Sequence, residues 1–230
     1  MDWKKEILTK IDFENISNKE EKEKLAKKIA EKVKDGDVIG FGSGSTSYLT
    51  VIEIAKKVKE ENISITAIPT SYEIKLLCNY YGIPTASVIE KRPDWGFDGA
   101  DEINKDGWVL KGRGGAMFKE KLNIANSKVT YILADDSKMV EKLGSKFSIP
   151  VECYPDAIHH VTEELLILGA KEVQVRKAIG KDGPIITENN NIILDAKFEN
   201  IEESLEKDIK SITGVVESGL FIGYNIEIVK

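Results

Sequence analysis

Histidine and cysteine are almost missing from this sequence, with two of each in 230 residues. The cysteines, Cys78 and Cys153, fit no metal-binding spacing and no disulfide framework, so we expect buried, reduced thiols. The histidines, His159 and His160, are adjacent. Neighbours on a helix point in different directions, so the pair does not suit one metal ion and reads as a surface or interface feature. Basic residues are in deficit, 33 against 39 acidic, for a net charge of −6. That excludes the basic face a nucleic-acid partner requires. It also means that a phosphorylated ligand must be held by local groups against the overall field. No apolar run approaches the length of a membrane span. Residues 1–22 are rich in Lys and Glu and contain no apolar signal core. We therefore expect a cytoplasmic protein with no membrane and no nucleic-acid partner. What remains is ordinary for a globular chain, 41% hydrophobic and 31% charged. The length suits one large domain, or one domain with a smaller insert.

Carboxylates and lysine stand where histidine and cysteine do not. They concentrate in Asp98–Lys121, which reads DGADEINKDGWVLKGRGGAMFKEK. Asp98 and Asp101 open it, and a polar turn follows. The triplet Trp108-Val109-Leu110 then delivers Lys111 onto the loop Gly112-Arg113-Gly114-Gly115. A helical pattern begins beyond, with Glu120 in its early turns. Carboxylates that move protons and a cation that steadies negative charge are the parts of acid–base chemistry on a small polar substrate. Taken singly, each piece also reads as an acidic turn, a glycine turn and a solvated helix.

Along the chain, Leu25, Ile29 and Val33 form the apolar stripe of an amphipathic helix. Val38–Phe41 is a short buried strand. Gly42-Ser43-Gly44-Ser45-Thr46-Ser47 and a helix follow it. Strand, Gly/Ser loop and helix make a phosphate cradle, because glycines admit the anion while the helix N-terminus and the hydroxyls supply donors. The same residues would also serve as a plain helix cap. Further strands are predicted at Ile63–Ile68, Pro84–Val88, Trp95–Phe97, Trp108–Leu110 and Val129–Ala134, with helices at Ser71–Tyr81 and Met117–Ala125. Alternating strands and helices indicate an α/β fold, a mostly parallel Rossmann-like sheet with helices on both faces. Ligands bind beyond the carboxyl ends of such strands, where the Ser-rich loop, the DGADE turn and the Lys111 loop could meet. Asp135–Lys138 forms another loop past a strand end, with Lys138 solvent-exposed on sequence grounds. Trp95 and Trp108 flank the site segments and are expected to help exclude water. Trp3 is expected to pack on apolar surface.

From Ser148 the texture changes to a βαββαβ order, the split pattern of ferredoxin-like modules. We expect residues 148–213 to form a small α+β domain. Residues 1–147 with 214–230 would form the main one, Val215–Phe221 returning to the main sheet and Ile226–Val229 closing it.

With its DGADE turn, Lys-Gly-x-Gly loop and helix-borne Glu in that order, the segment Asp98–Lys121 resembles ribose-5-phosphate isomerase of the A type. The resemblance extends from the first helix to Val215–Phe221. It implies interconversion of D-ribose 5-phosphate and D-ribulose 5-phosphate through an enediolate, without metal or organic cofactor. It makes Glu120 the base between C1 and C2, and gives Asp98 and Asp101 ring opening and hydroxyl proton traffic. Lys111 becomes the cation at the enediolate oxygen. It implies substrate contacts from Ser43, Gly44, Ser45, Thr46, Gly99, Ala100, Gly112, Arg113, Gly114 and Lys138. By position, Lys22 matches a phosphate-contacting lysine. A homodimer or homotetramer is also implied. Arg113 departs from the pattern, standing where many members have glycine, and Ser43 replaces a common threonine. Two other classes compete. One is a Mg²⁺-dependent sugar-phosphate hydrolase or transferase using Asp98, Asp101 and Glu102. The other is a non-catalytic sugar-phosphate sensor, by fold analogy.

Overall fold

The computed structural model describes residues 16–230, and Trp3 lies outside them. In chain order the elements begin α1 (Lys19–Lys32), β1 (Val38–Phe41), α2 (Gly44–Glu61), β2 (Thr66–Pro69), α3 (Tyr72–Tyr81), β3 (Trp95–Gly99), β4 (Glu102–Ile103) and β5 (Val109–Leu110). They continue α4 (Met117–Asn126), β6 (Thr130–Leu133), β7 (Ile149–Cys153), α5 (Ile158–Ile167), β8 (Glu172–Val175), β9 (Ile192–Lys197), α6 (Leu205–Ser211), β10 (Val215–Ser218), β11 (Leu220–Phe221) and β12 (Ile226–Val229). The chain forms two compact units. The first holds the residues up to Gly99, Leu122–Ser137 and Asn225–Lys230; the second holds Ala100–Lys121 and Lys138–Tyr224.

The first unit is built on a parallel sheet in the order β2-β1-β3-β6-β12. Successive strand residues face opposite sides. Ile39 and Phe41 of β1 point into one core with Leu25 and Ile29 of α1 and Val51 and Ile54 of α2. Gly40 between them meets Asn123 of α4, whose amide would stand 3.2 Å from an added Cβ. Helices therefore cover both faces. The chain runs outward from β1 to β2 and then returns to place β3 on the other side of β1. Strand order reverses there, and the carboxyl ends of β1 and β3 flank the position where such sheets bind ligands.

The second unit has two antiparallel sheets. One runs β10-β7-β9-β8, with α5 and α6 in the connections, which is the ferredoxin-like arrangement of a βαββαβ chain. The other is β11-β5-β4. Its core joins Ile149, Val151 and Leu194 of the larger sheet to Val161, Leu165 and Ile209 of the helices, and to Leu110 and Leu220 of the smaller sheet.

Five expectations change. Val215–Phe221 is not a return to the parallel sheet: Val215–Ser218 pairs with β7 and Leu220–Phe221 with β5, and only Ile226–Val229 joins the parallel strands. The break falls at Gly219, where a Cβ would stand 2.2 Å from the Lys111 carbonyl oxygen and 2.7 Å from Pro150. Val109–Leu110 is likewise antiparallel, so the Lys111 loop does not extend a strand of the parallel sheet. Pro84–Val88 forms no strand, only a bridge from Thr85 to Ala67. Trp95 begins β3 at the amino end, opposite Asp98, where its indole donates to Asp37 (3.0 Å) and packs edge-on to Tyr131, so it shields nothing at the carboxyl end. Because β4 and β5 pair with β11, Ala100–Lys121 and residues 138–147 group with the second unit rather than with the parallel sheet.

Both cysteines are free and buried. Burial pushes the Cys78 thiol up to about 12 and the Cys153 thiol, with Glu152 beside it, up to about 11, so neither supplies a thiolate nucleophile. His159 and His160 are exposed on α5. Among the described residues no helix is long and apolar enough to cross a membrane.

Candidate active site

In the first unit the loop after β1 and the end of β3 come together. Gly42 continues the β1 ladder, its amide donating to the Phe97 carbonyl at 2.9 Å. It lies so close to Asp98 that an added Cβ would be 2.2 Å from the carboxyl carbon and 2.7 Å from Cα. Only a residue without a side chain lets the buried Asp98 sit against this loop. The Asp98 Oδ1 accepts from the Gly99 amide at 2.7 Å, and the Thr46 Cβ would be 3.7 Å from a Cβ on Gly99.

Ser43 occupies the N-cap position of α2 but its side chain makes no cap bond. Its hydroxyl is 2.6 Å from that of Thr70, and Thr70 in turn donates to the Phe41 carbonyl at 3.1 Å. The α2 amides therefore keep their outward-facing donors, no acidic residue lies in the first turn, and Gly44 turns through φ +84° to begin it. The Lys22 side chain approaches from α1. It is 6% exposed, and its ammonium donates to the Ser45 hydroxyl at 3.0 Å and to Ser17 at 3.4 Å. Hydroxyls, a helix N-terminus and a buried cation compose an anion cradle. Thr70, at the carboxyl end of β2, was missed by sequence reading. Nothing local distinguishes it from any other Thr after a strand.

In the second unit Lys111 and Glu120 are side by side. The ammonium lies 3.5 Å from the carboxylate, and the residues are 4% and 5% exposed. The position of Lys111 is fixed by its backbone, since its amide donates to the Gly219 carbonyl at 2.9 Å in the β5–β11 pairing. Gly112 then turns through φ +100°. The Arg113 amide donates to the Asp101 Oδ2 at 3.3 Å, while the Arg113 guanidinium leaves the loop and lies 4.6 Å above the Phe147 ring. Gly114 is exposed. Ala100 is half-buried at the start of this unit.

Glu120 owes its burial to its helix. Its neighbours are fixed by ion pairs, Lys119 to Glu188 at 2.8 Å and Lys121 to Glu206 and Glu217 at 2.6 and 2.8 Å. Burial raises Glu217, but the Lys121 ammonium and its hydrogen bond, the Ser218 amide and Lys210 outweigh that and hold its carboxyl below the ordinary glutamate value. The solvated-helix reading of Lys119-Glu120-Lys121 does not hold, since both Glu120 and Lys121 are buried.

Two predicted residues stand apart. Lys138 ends a single 3-10 turn, half-buried, and its side chain makes no hydrogen bond or ion pair among the described residues. Glu102 is fully buried with both oxygens occupied, Oε1 by the amides of Lys146 (2.6 Å) and Phe147 (2.8 Å) and Oε2 by that of Gly144 (2.7 Å). It is a loop anchor.

The sequence model of the family described as Ribose 5-phosphate isomerase A (phosphoriboisomerase A) matches residues 66–229. A curated ribose-5-phosphate isomerase A from Methanocaldococcus jannaschii is 43% identical over 209 residues, covering 90% of this chain and 92% of that protein. The solved structure of ribose 5-phosphate isomerase A from that organism superimposes with a TM-score of 0.89 at 40% identity, covering 93% of this chain and 96% of the other. A D-ribose-5-phosphate isomerase solved in complex with phospho-erythronic acid gives a TM-score of 0.88 at 36% identity, covering 93% and 95%.

Proposed function

Because the chain belongs to the ribose 5-phosphate isomerase A family, we propose that it interconverts D-ribose 5-phosphate and D-ribulose 5-phosphate. The observation that carries this reading is the buried Lys111–Glu120 pair at 3.5 Å, a base and a cation held beside each other on ordered elements.

In the open-chain aldose the Glu120 carboxylate takes the proton from C2. The C2–H electrons form the C1–C2 double bond, and the carbonyl electrons move onto O1. The Lys111 ammonium stabilises the developing oxyanion. The hydroxyl proton of O2 passes to O1, and Glu120 returns its proton to C1, leaving the carbonyl at C2. The same carboxylate serves both carbons, so no net proton is gained or lost. Asp98 and Asp101 open the furanose ring by moving the O1 hydroxyl proton to the ring oxygen. The phosphate is assigned to the cradle of Ser43, Gly44, Ser45 and Thr46, with Lys22 supplying the cation. The amides of the Gly112–Gly114 loop serve as donors to the sugar. Lys138 belongs to this reading only through the family pattern.

The occupied carboxylate of Glu102 weighs against a Mg²⁺ site built from Asp98, Asp101 and Glu102. A cytoplasmic setting and assembly as a homodimer or homotetramer form part of the proposal, and light scattering in solution checks the assembly. The decisive test is incubation of chelator-treated protein with ribose 5-phosphate, followed by assay of ribulose 5-phosphate. Product is expected. Activity abolished by the chelator and restored by Mg²⁺ would instead favour the metal-dependent alternative.

A further inference from the structure

Arg176 follows the last residue of β8 and directs one guanidinium at two targets. Its Nε donates to Oδ2 of Asp195 on β9 at 2.9 Å, and its Nη2 pairs with Oδ1 of the same carboxylate. Its Nη1 donates to the carbonyls of Gly112 and Arg113, at 2.8 and 3.0 Å. The carboxylate fixes the plane of the fork, and the remaining edge of the fork reaches the loop after Lys111.

The consequence follows from peptide geometry. The peptide bonds are trans, so each carbonyl and the N–H of the next residue point in opposite directions. With the Gly112 carbonyl turned to Arg176, the Arg113 N–H faces the other way, where Asp101 accepts it at 3.3 Å. With the Arg113 carbonyl turned to Arg176, the Gly114 N–H is also directed away from the guanidinium. Gly112 permits this through its φ of +100°, a conformation that side chains rarely adopt.

We propose that Arg176, clamped by Asp195, is a positioning residue that keeps the Arg113 amide on Asp101, turns the Gly114 amide outward for the sugar and holds the loop that begins at Lys111. This rests on the isomerase reading for its link to turnover, but the brace itself stands on the contacts. It also gives the Arg113 backbone a task that its side chain, lying over Phe147, does not share. Lysine cannot replace Arg176, because a single ammonium cannot grip Asp195 and span two carbonyls as the planar fork does.

The test compares wild type with Arg176→Lys, Arg176→Gln and Asp195→Asn. In both Arg176 variants we expect kcat to fall about tenfold to a hundredfold while KM changes far less, since small displacements of a reacting group cost turnover first. Asp195→Asn should fall less. Millimolar guanidinium should restore part of the Arg176→Gln activity. Amide exchange across Lys111–Gly115 should quicken in all three variants without a matching change in melting temperature. Unchanged kcat together with unchanged loop exchange would overturn the proposal. If wild type itself fails to isomerise ribose 5-phosphate, the functional reading falls, and loop exchange alone decides the brace. Should Arg176→Gln not fold, Arg176→Lys and Asp195→Asn give the same readouts.

Discussion

The Lys111 ammonium stands 3.5 Å from the Glu120 carboxylate, with both residues almost wholly buried. A cation so placed has a part both in the resting protein and in the isomerisation proposed above. At rest it offsets a buried negative charge. In the proposed reaction, the oxyanion that forms while Glu120 holds the substrate proton would become its partner. Lys111→Ala should therefore lower kcat by about 10²–10³ with a smaller change in KM, the pattern of an interaction made in the transition state. Steady-state kinetics in both directions check this. A change confined to KM would make Lys111 a binding residue.

Lys22 donates to the Ser45 hydroxyl at 3.0 Å from a buried position on α1. If it holds phosphate, its loss acts on binding. Lys22→Ala should raise KM for ribose 5-phosphate about tenfold or more, the worth of a hydrogen bond to a charged group, and leave kcat near wild type. Inhibition by inorganic phosphate should weaken in parallel.

Gly42 has no room for a side chain, because a Cβ would meet both the carboxyl and the backbone of Asp98. Gly42→Ala should destabilise the protein by about 1–3 kcal/mol, as overpacking does, and displace Asp98. Denaturant unfolding measures the first effect. Activity below that of an equally destabilised core variant measures the second.

Glu217 is held below the ordinary glutamate value: burial works to raise it, and the Lys121 ammonium leads the groups that outweigh burial. The native state thus binds the proton less tightly than the unfolded chain. The stabilisation is full above the unfolded glutamate pKa and is lost as pH falls through the lower, folded one. Melting temperature should drop on acidification through that window, and Glu217→Gln should show a shallower drop from a lower starting point. Equal slopes would remove Glu217 as a source of acid sensitivity.

The parts of the candidate site that sequence reading located are those governed by local pattern. The Ser43–Thr46 loop and Asp98 were legible because β1 and β3 are parallel neighbours whose loops leave from the same edge. Lys22 is singled out only by its position in the resembled family, because on pattern alone the charges of its helix read as a solvated face, although it is buried on the same side as Leu25 and Ile29. Long-range pairing was not legible. Lys121 finds its carboxylates 85 and 96 residues away, and Arg176 reaches the loop 64 residues before it. Val215–Phe221 reads as one strand because two apolar pairs, Val215-Val216 and Leu220-Phe221, are separated by only three residues, Glu217-Ser218-Gly219. Gly219 divides it between two sheets only because the Lys111 carbonyl passes against it, an approach no local pattern announces. The triplet Trp108–Leu110 reads as a strand, but three apolar residues cannot specify which sheet receives them.

The most direct test of the central claim follows the hydrogen at C2. Ribose 5-phosphate carrying deuterium at C2 is supplied to wild type and to Glu120→Gln, and the label is traced by NMR to C1 or to solvent. We predict that wild type removes the label as ribulose 5-phosphate forms. Glu120→Gln should still bind the sugar phosphate but release label at least 10²-fold more slowly, the contribution of a positioned general base. Label loss from Glu120→Gln near the wild-type rate would contradict the assignment of Glu120 as the base.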